Sequence, residues 1–263
     1  VILLDSGDSL FATGAIETAN DDGQGALLTR AMTAMGYDAM ALGAQDLAPA
    51  PIAQARFQEA GFPILSTNVA AAGILTNVRP YLLQEVEGRT PGVLTRIAIV
   101  GATNEATMEQ RAQALGMSLE VGDAVEAIRR TVEEVQKQAD VIIVLGNLSQ
   151  ETNELLVHEV PGIDAIIGVY GSWQIHPTAV QGPEGQVVLH ASGTLGEYLG
   201  VLTLYFDTQG RVVSFEGSGV ALTPDYGDDP DIKRILLHHR YCQAVMLARR
   251  GQVVLLDREV WRC

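Results

Sequence analysis

Positive charge is scarce in this sequence: 17 Lys and Arg residues stand against 32 Asp and Glu, a formal net charge of -15. Non-specific binding to nucleic acid or anionic lipid needs clustered Lys and Arg, so neither is expected as a partner. Long apolar runs are missing as well. No stretch approaches the roughly 18 to 20 residues of a membrane-spanning helix, and no basic segment precedes an apolar one as in a signal peptide, so membrane insertion by this chain is not expected. Cysteine occurs only at Cys242 and Cys263, without the CxxCH spacing of haem attachment or the paired spacing of a zinc site. Internal repeats and low-complexity tracts are absent too. What remains is a chain of 263 residues with 47% hydrophobic and 19% charged residues, enough to bury a full core as a single domain over 1–263.

The apolar pattern is that of an α/β protein. Ile2-Leu3-Leu4 leads into a turn at Gly7-Asp8, the stretch from Met35 to Gly43 joins a helix end to a short buried strand, and Phe62 to Val69 supplies another. Ala139 to Leu145 and Pro161 to Gly168 are two more strands. Helices are expected over Gln24–Met35, with Ala26, Leu27, Ala31 and Ala34 toward a sheet, and over Pro51–Ala60. Asp123–Gln138 is the clearest helix, with Asp123 at its acidic start and Val125, Ile128, Val132 and Val135 on one face. A shorter one covers Glu151–Glu159. From Val187 the pattern changes to strands at Val187–Leu189, Val201–Phe206 and Val212–Phe215, with a turn at Gln209-Gly210. Alternating elements followed by a meander predict a two-sheet α/β sandwich. Asp228-Asp229-Pro230-Asp231 caps a last helix to about Arg249, and Val253 to Leu256 reads as a strand, so 228–263 forms a C-terminal helix and strand.

Three strand-ending turns draw attention: Gly43-Ala44-Gln45-Asp46, Leu145-Gly146-Asn147 and Gly168-Val169-Tyr170-Gly171-Ser172. None contains a histidine. With Asp8, and in this order and spacing, they resemble the calcineurin-like metallophosphoesterase domain of the periplasmic 5'-nucleotidase family, which includes UDP-sugar hydrolases and sulfur-oxidation thiosulfohydrolases. The likeness runs from about Val1 to about Arg240. It implies a metallophosphoesterase-like fold and a centre of two divalent metals, such as manganese, zinc or iron. The family's ligands come from Asp-x-His, Gly-Asp, Gly-Asn-His-Glu/Asp, a lone His and Gly-His-x-His.

The resemblance places Asp8 at the bridging aspartate, Ala44 at the ligand asparagine and Gln45 at the histidine that protonates the leaving group. Asp46 follows them. Asn147 falls at the lone histidine, and Tyr170 and Ser172 fall at the His-x-His pair. The opening Asp-x-His has no counterpart, since Val1 is expected to lie already in the next strand. Alanine offers no donor atom and a glutamine amide exchanges no proton near neutral pH. One carboxylate with neutral amides and hydroxyls does not hold two metals, so no metal, no other cofactor and no catalytic residue is expected.

The leading expectation is a catalytically inactive family domain serving as a structural or binding subunit of an extracytoplasmic assembly, with a protein partner. The alternative is a metal-dependent hydrolase of nucleotides or other phosphate esters, with a site rebuilt from Asp8, Asp46, Asn147 and His176. The family's second, C-terminal domain is expected to be absent, and the missing first family strand to leave a sheet edge beside Val1 to Leu4 that another segment covers. His238, His239, Arg240 and Tyr241 on the last helix are candidate interface residues. His158 and His190 are assigned to ordinary packing. Family resemblance implies a periplasmic or extracellular location, where Cys242 and Cys263 could pair. Two free thiols, or a motif continuing past Cys263, remain alternatives.

Overall fold

A computed structural model describes residues 1–11, 22–70, 75, 77–88, 92–169, 176–192, 196–207 and 211–249, with backbone alone at 22–24 and 240–249. Two sheets pack face to face. The first has four strands in the order β1 (Leu4–Asp5), β2 (Ala39–Ala41), β3 (Ile64–Leu65) and β5 (Val78–Arg79), all parallel. The second has six, in the order β11 (Thr178–Gln181), β12 (Gln186–His190), β10 (Ala165–Val169), β9 (Val141–Leu148), β7 (Leu94–Gly101) and β6 (Tyr81–Glu87). Strands β7, β9, β10 and β12 run parallel, and β6 and β11 are antiparallel borders. A hairpin of β13 (Tyr198–Phe206) and β14 (Val212–Ala221) packs on the second sheet, and β4 (Val69–Ala70) pairs with β8 (Glu120–Val121).

Burial on both faces explains the β9 sequence, in which Val141 to Gly146 are all buried. Ile142 and Val144 meet Ile128 and Val132 of α4 (Ala124–Val135) and Leu156 of α5 (Gln150–Glu159). On the opposite face, Leu145 packs with Ala39, Ala41 and Leu65 of the first sheet, and Val141 and Ile143 pack with Leu202, Leu204 and Phe206 of the hairpin. Such a run, apolar at every position, is the pattern of a parallel strand covered by two layers. Beyond the first sheet, Met32 of α1 (Asp22–Met35), Phe57 of α2 (Ala50–Glu59) and Met108 of α3 (Glu105–Ala114) close a second core over Met40 and Ile64. The last helix, α6 (Pro230–Arg249), lies against α1.

The two-sheet α/β sandwich is therefore the architecture, and most expected elements stand within two or three residues of their place. Asp123 caps α4 by accepting the Glu126 amide at 2.7 Å, and Asp229 caps α6 by accepting the amides of Asp231 and Ile232. Corrections are local. Val1 is fully exposed and pairing starts at Leu4. Ala34 is exposed, because the larger Met32 and Leu28 turn α1 so that they enter the core. His158 faces solvent on α5, whereas His190 is packed as expected. The C-terminal strands are not a simple meander, since β12 pairs parallel to β10. His238 and His239 are half-buried; the side chains of Arg240, Tyr241 and Cys242, the turn at Gln209-Gly210, the segment Val253 to Leu256, and Cys263 lie outside the described residues. Among the described residues β1 pairs with β2 alone.

Asp164 sits at the amino-terminal end of β10, in a cleft of about 450 Å³ remote from the strand-ending turns. Burial raises its pKa to about 6, against the opposing bond from the Ile142 amide at 2.8 Å. The folded state thus holds this proton more tightly than the unfolded state. Its contribution is most favourable below the unfolded value of 3.8 and is lost as pH rises through about 6. Asp164→Asn, which keeps an acceptor for Ile142, is expected to be more stable than the native chain above about pH 6.5, by at most about 2 to 3 kcal/mol, with the gap closing toward about pH 4. Urea unfolding across that range measures it.

Candidate functional site

The carboxyl ends of β1, β2, β9 and β10 meet at one place, and their turns approach through backbone rather than side chains. A Cβ on Gly43 would lie 2.4 Å from both the Asp8 amide nitrogen and Asp8 Oδ1, so only glycine fits there. Asp8 itself has φ 63°, a left-handed conformation that aspartate and asparagine tolerate better than most residues. Strain of this kind is held by surrounding bonds.

Those bonds come from Asp46. It is completely buried in the 3-10 turn Ala44–Asp46, and its carboxylate accepts four backbone N–H groups. Oδ2 takes Asp8 at 2.9 Å and Gly43 at 2.8 Å, and Oδ1 takes Ser9 and Leu10 at 2.9 Å each. Burial and then the neighbouring Asp8 carboxylate push its pKa to about 7, while the Leu10 and Gly43 amides pull the other way. Burial likewise raises Asp5, which accepts the Gly7 amide and the Ser9 hydroxyl.

Asp8 is occupied on both oxygens. The Gln45 backbone amide donates to Oδ1 at 2.7 Å, and Asn147 Nδ2 donates to Oδ2 at 2.8 Å. Arg111 of α3 is buried nearby, with Nε and Nη2 donating to the Leu47 carbonyl at 3.3 and 3.0 Å; burial lowers its pKa and the Asp8 charge opposes that shift. The Gln45 Oε1 atom is buried without a donor among the described residues. A polar bridge flanks the site: the Thr103 hydroxyl donates to the Leu42 carbonyl, and Asn68 donates to the Thr103 and Gly122 carbonyls.

Asp8, Ala44, Gln45, Asp46 and Asn147 are thus brought together at the strand ends. Tyr170 and Ser172 lie outside the described residues. His176 is exposed ahead of β11, where its electrostatic neighbour is His190. His190 is itself buried, with both ring nitrogens lacking a partner among the described residues, and burial, with His176 adding, lowers its pKa. Arg111 was not anticipated. Its signal was a cation at i+3 from Met108, on the face that α3 buries.

Comparison with known proteins agrees with this geometry. No family model matches the sequence. The chain is 29% identical to the 5'-nucleotidase of Bos taurus over 256 residues, covering 89% of this chain and 42% of that protein. It is 27% identical to the snake venom 5'-nucleotidase of Crotalus adamanteus over 270 residues, covering 93% and 45%. The crystal structure of a 5'-nucleotidase precursor from Thermus thermophilus superposes with a TM-score of 0.74 at 25% identity, covering 95% of this chain and 50% of that one. The chain is a metallophosphoesterase domain of the 5'-nucleotidase family. It spans less than half the length of these curated relatives.

Among the described residues, the donors do not make up the family's dinuclear metal centre. Asp8 has both oxygens committed to protein N–H groups, Asn147 turns its NH2 rather than its oxygen toward Asp8, and Ala44 has no donor atom. Among the described residues no group of three or more His, Cys, Asp or Glu is placed to hold a metal ion. Asp46, part of the rebuilt site weighed above, is enclosed by backbone donors and serves the turn instead. Asp46→Asn would set an NH2 against backbone donors and leave two of them unpartnered. It is expected to cost about 2 to 5 kcal/mol in urea unfolding, with the fold either weakened or lost.

Proposed function

We propose that this nucleotidase-family domain is catalytically inactive and acts as a structural or binding subunit of an extracytoplasmic assembly. The observation that carries the reading is that each Asp8 oxygen accepts a protein N–H, the Gln45 backbone amide on Oδ1 and Asn147 Nδ2 on Oδ2, in a site where hydrolysis would need a metal-activated water. A second support is the replacement of the general acid by Gln45. General acid and base assistance is worth about 100- to 10,000-fold, so its loss alone removes much of a hydrolase's advantage. The edge of β1, paired on one side only among the described residues, offers donors and acceptors for an added strand from the same polypeptide or from a protein partner. No described helix is long and apolar enough to cross a membrane.

A second reading, hydrolysis of nucleotides or other phosphate esters, is closer to what the relatives are named, all of those quoted above being 5'-nucleotidases. Its structural support is the unpartnered Gln45 Oε1 beside Asp8, a carbonyl oxygen of the kind that hard cations accept. Turnover of AMP and of a chromogenic phosphodiester, with manganese, zinc or iron supplied, separates the two. The inactive reading expects rates at background and no stoichiometric metal by elemental analysis. Metal-dependent turnover that vanishes in Asp8→Ala would establish the hydrolase. For the partner, a native particle in which the β1 edge faces only solvent would remove the assembly from the proposal.

A further inference from the structure

The disagreement between the family's metal centre and this donor set has a positive content. Asp8 and Asn147 lie 139 positions apart in the chain, Asp8 on the turn after β1 and Asn147 at the end of β9 in the other sheet, and Gln45 follows β2, the neighbour of β1. We infer that Asp8 is the acceptor of a metal-free clasp, in which Asn147 Nδ2 joins the two sheets of the sandwich and the Gln45 backbone amide holds the acceptor within its own sheet, at the place where cations would otherwise join them. The inference rests on the same loss of ligands as the functional reading, but not on the subunit role.

Charge is the first argument. Asp5, Asp8 and Asp46 each act electrostatically on at least one of the others, and three clustered carboxylates repel unless something compensates them. Here each carries its own donors. Asp46 has four amides, Asp5 has the Gly7 amide and the Ser9 hydroxyl, and Asp8 has Gln45 and Asn147. Arg111 adds a buried cation within electrostatic reach of Asp8.

Geometry is the second. A carboxylate kept only for solubility would not sit at φ 63° with both oxygens at 2.7 and 2.8 Å from donors remote in sequence. Such charge-assisted bonds are stronger than neutral ones. Asparagine is also the one change at position 147 that this arrangement uses directly: its NH2 meets an anionic oxygen, so no cation has to be supplied.

Thermal unfolding of the whole chain tests the clasp. Asn147→Ala is expected to lower Tm by about 3 to 10 °C. Asp8→Gly, which keeps the left-handed backbone and removes the acceptor, should lower it too, and the double variant should lose clearly less than the sum of the two. If Asp8→Gly does not fold, Asp8→Asn takes its place: an amide pair with Asn147 can re-form, so its Tm should stay near native and fall on adding Asn147→Ala. Chelator should leave the native Tm unchanged. Additive losses in the cycle would overturn the clasp while leaving the inactive reading standing. A native Tm that falls with chelator, or rises saturably with manganese or zinc only while Asp8 is present, would overturn it in favour of a metal-held centre.

Discussion

The end of this fold that matters for function depends on one carboxylate. Asp46 holds the amides of Asp8, Ser9, Leu10 and Gly43, so a single buried side chain ties the turn after β1 to the turn after β2. Four charge-assisted bonds offset the cost of burying the group, and they set the left-handed residue that follows Gly7. They also aim the chain inward, because Leu10 and Phe11, next along, are buried in the core under α1 and α2. Site geometry and core packing are therefore one structure here, and the loss of Asp46 weakens both.

Much of this was legible in the sequence, for physical reasons. The period of α4 and the unbroken apolar run of β9 encode burial on one face and on two faces, and a cap such as Asp123 acts on its own next turn. The positions of Asp8 and Asn147 could be read because a strand followed by a tight turn keeps its spacing. The hairpin β6–β7 and helix α3 went unread. Tyr81–Glu87 alternates between half-buried and exposed positions at a sheet border, and α3 has little amphipathic character, with two of its three buried side chains being Arg111 and Ala112. Little that is local reveals that Asp46 points into backbone rather than toward a ligand, since three of its four donors sit 36 to 38 positions earlier. The facing of α1 also depended on tertiary contact, Met32 and Leu28 outweighing Ala34.

The fold matches that of a 5'-nucleotidase precursor over 95% of this chain. A fold is compatible with many sites, and the site alone decides the reaction. Family membership here fixes where ligands would be presented. It does not by itself fix what is presented.

The glycines at the strand ends have a further consequence for anyone wishing to re-engineer this centre. A Cβ at Gly146 would stand 2.2 Å from the Ala102 carbonyl oxygen, and one at Gly168 would stand 2.4 Å from Ser6 Cβ, so main chain lies directly on its neighbours at these points. The course of the turn after β2 is consequently set without reference to the side chains at 44 and 45. In design terms those two positions are a socket whose frame and lining are independent: groups grafted there would inherit a rigid, pre-shaped mount, whereas a graft at 147 would also remove the bond that Asn147 gives to Asp8.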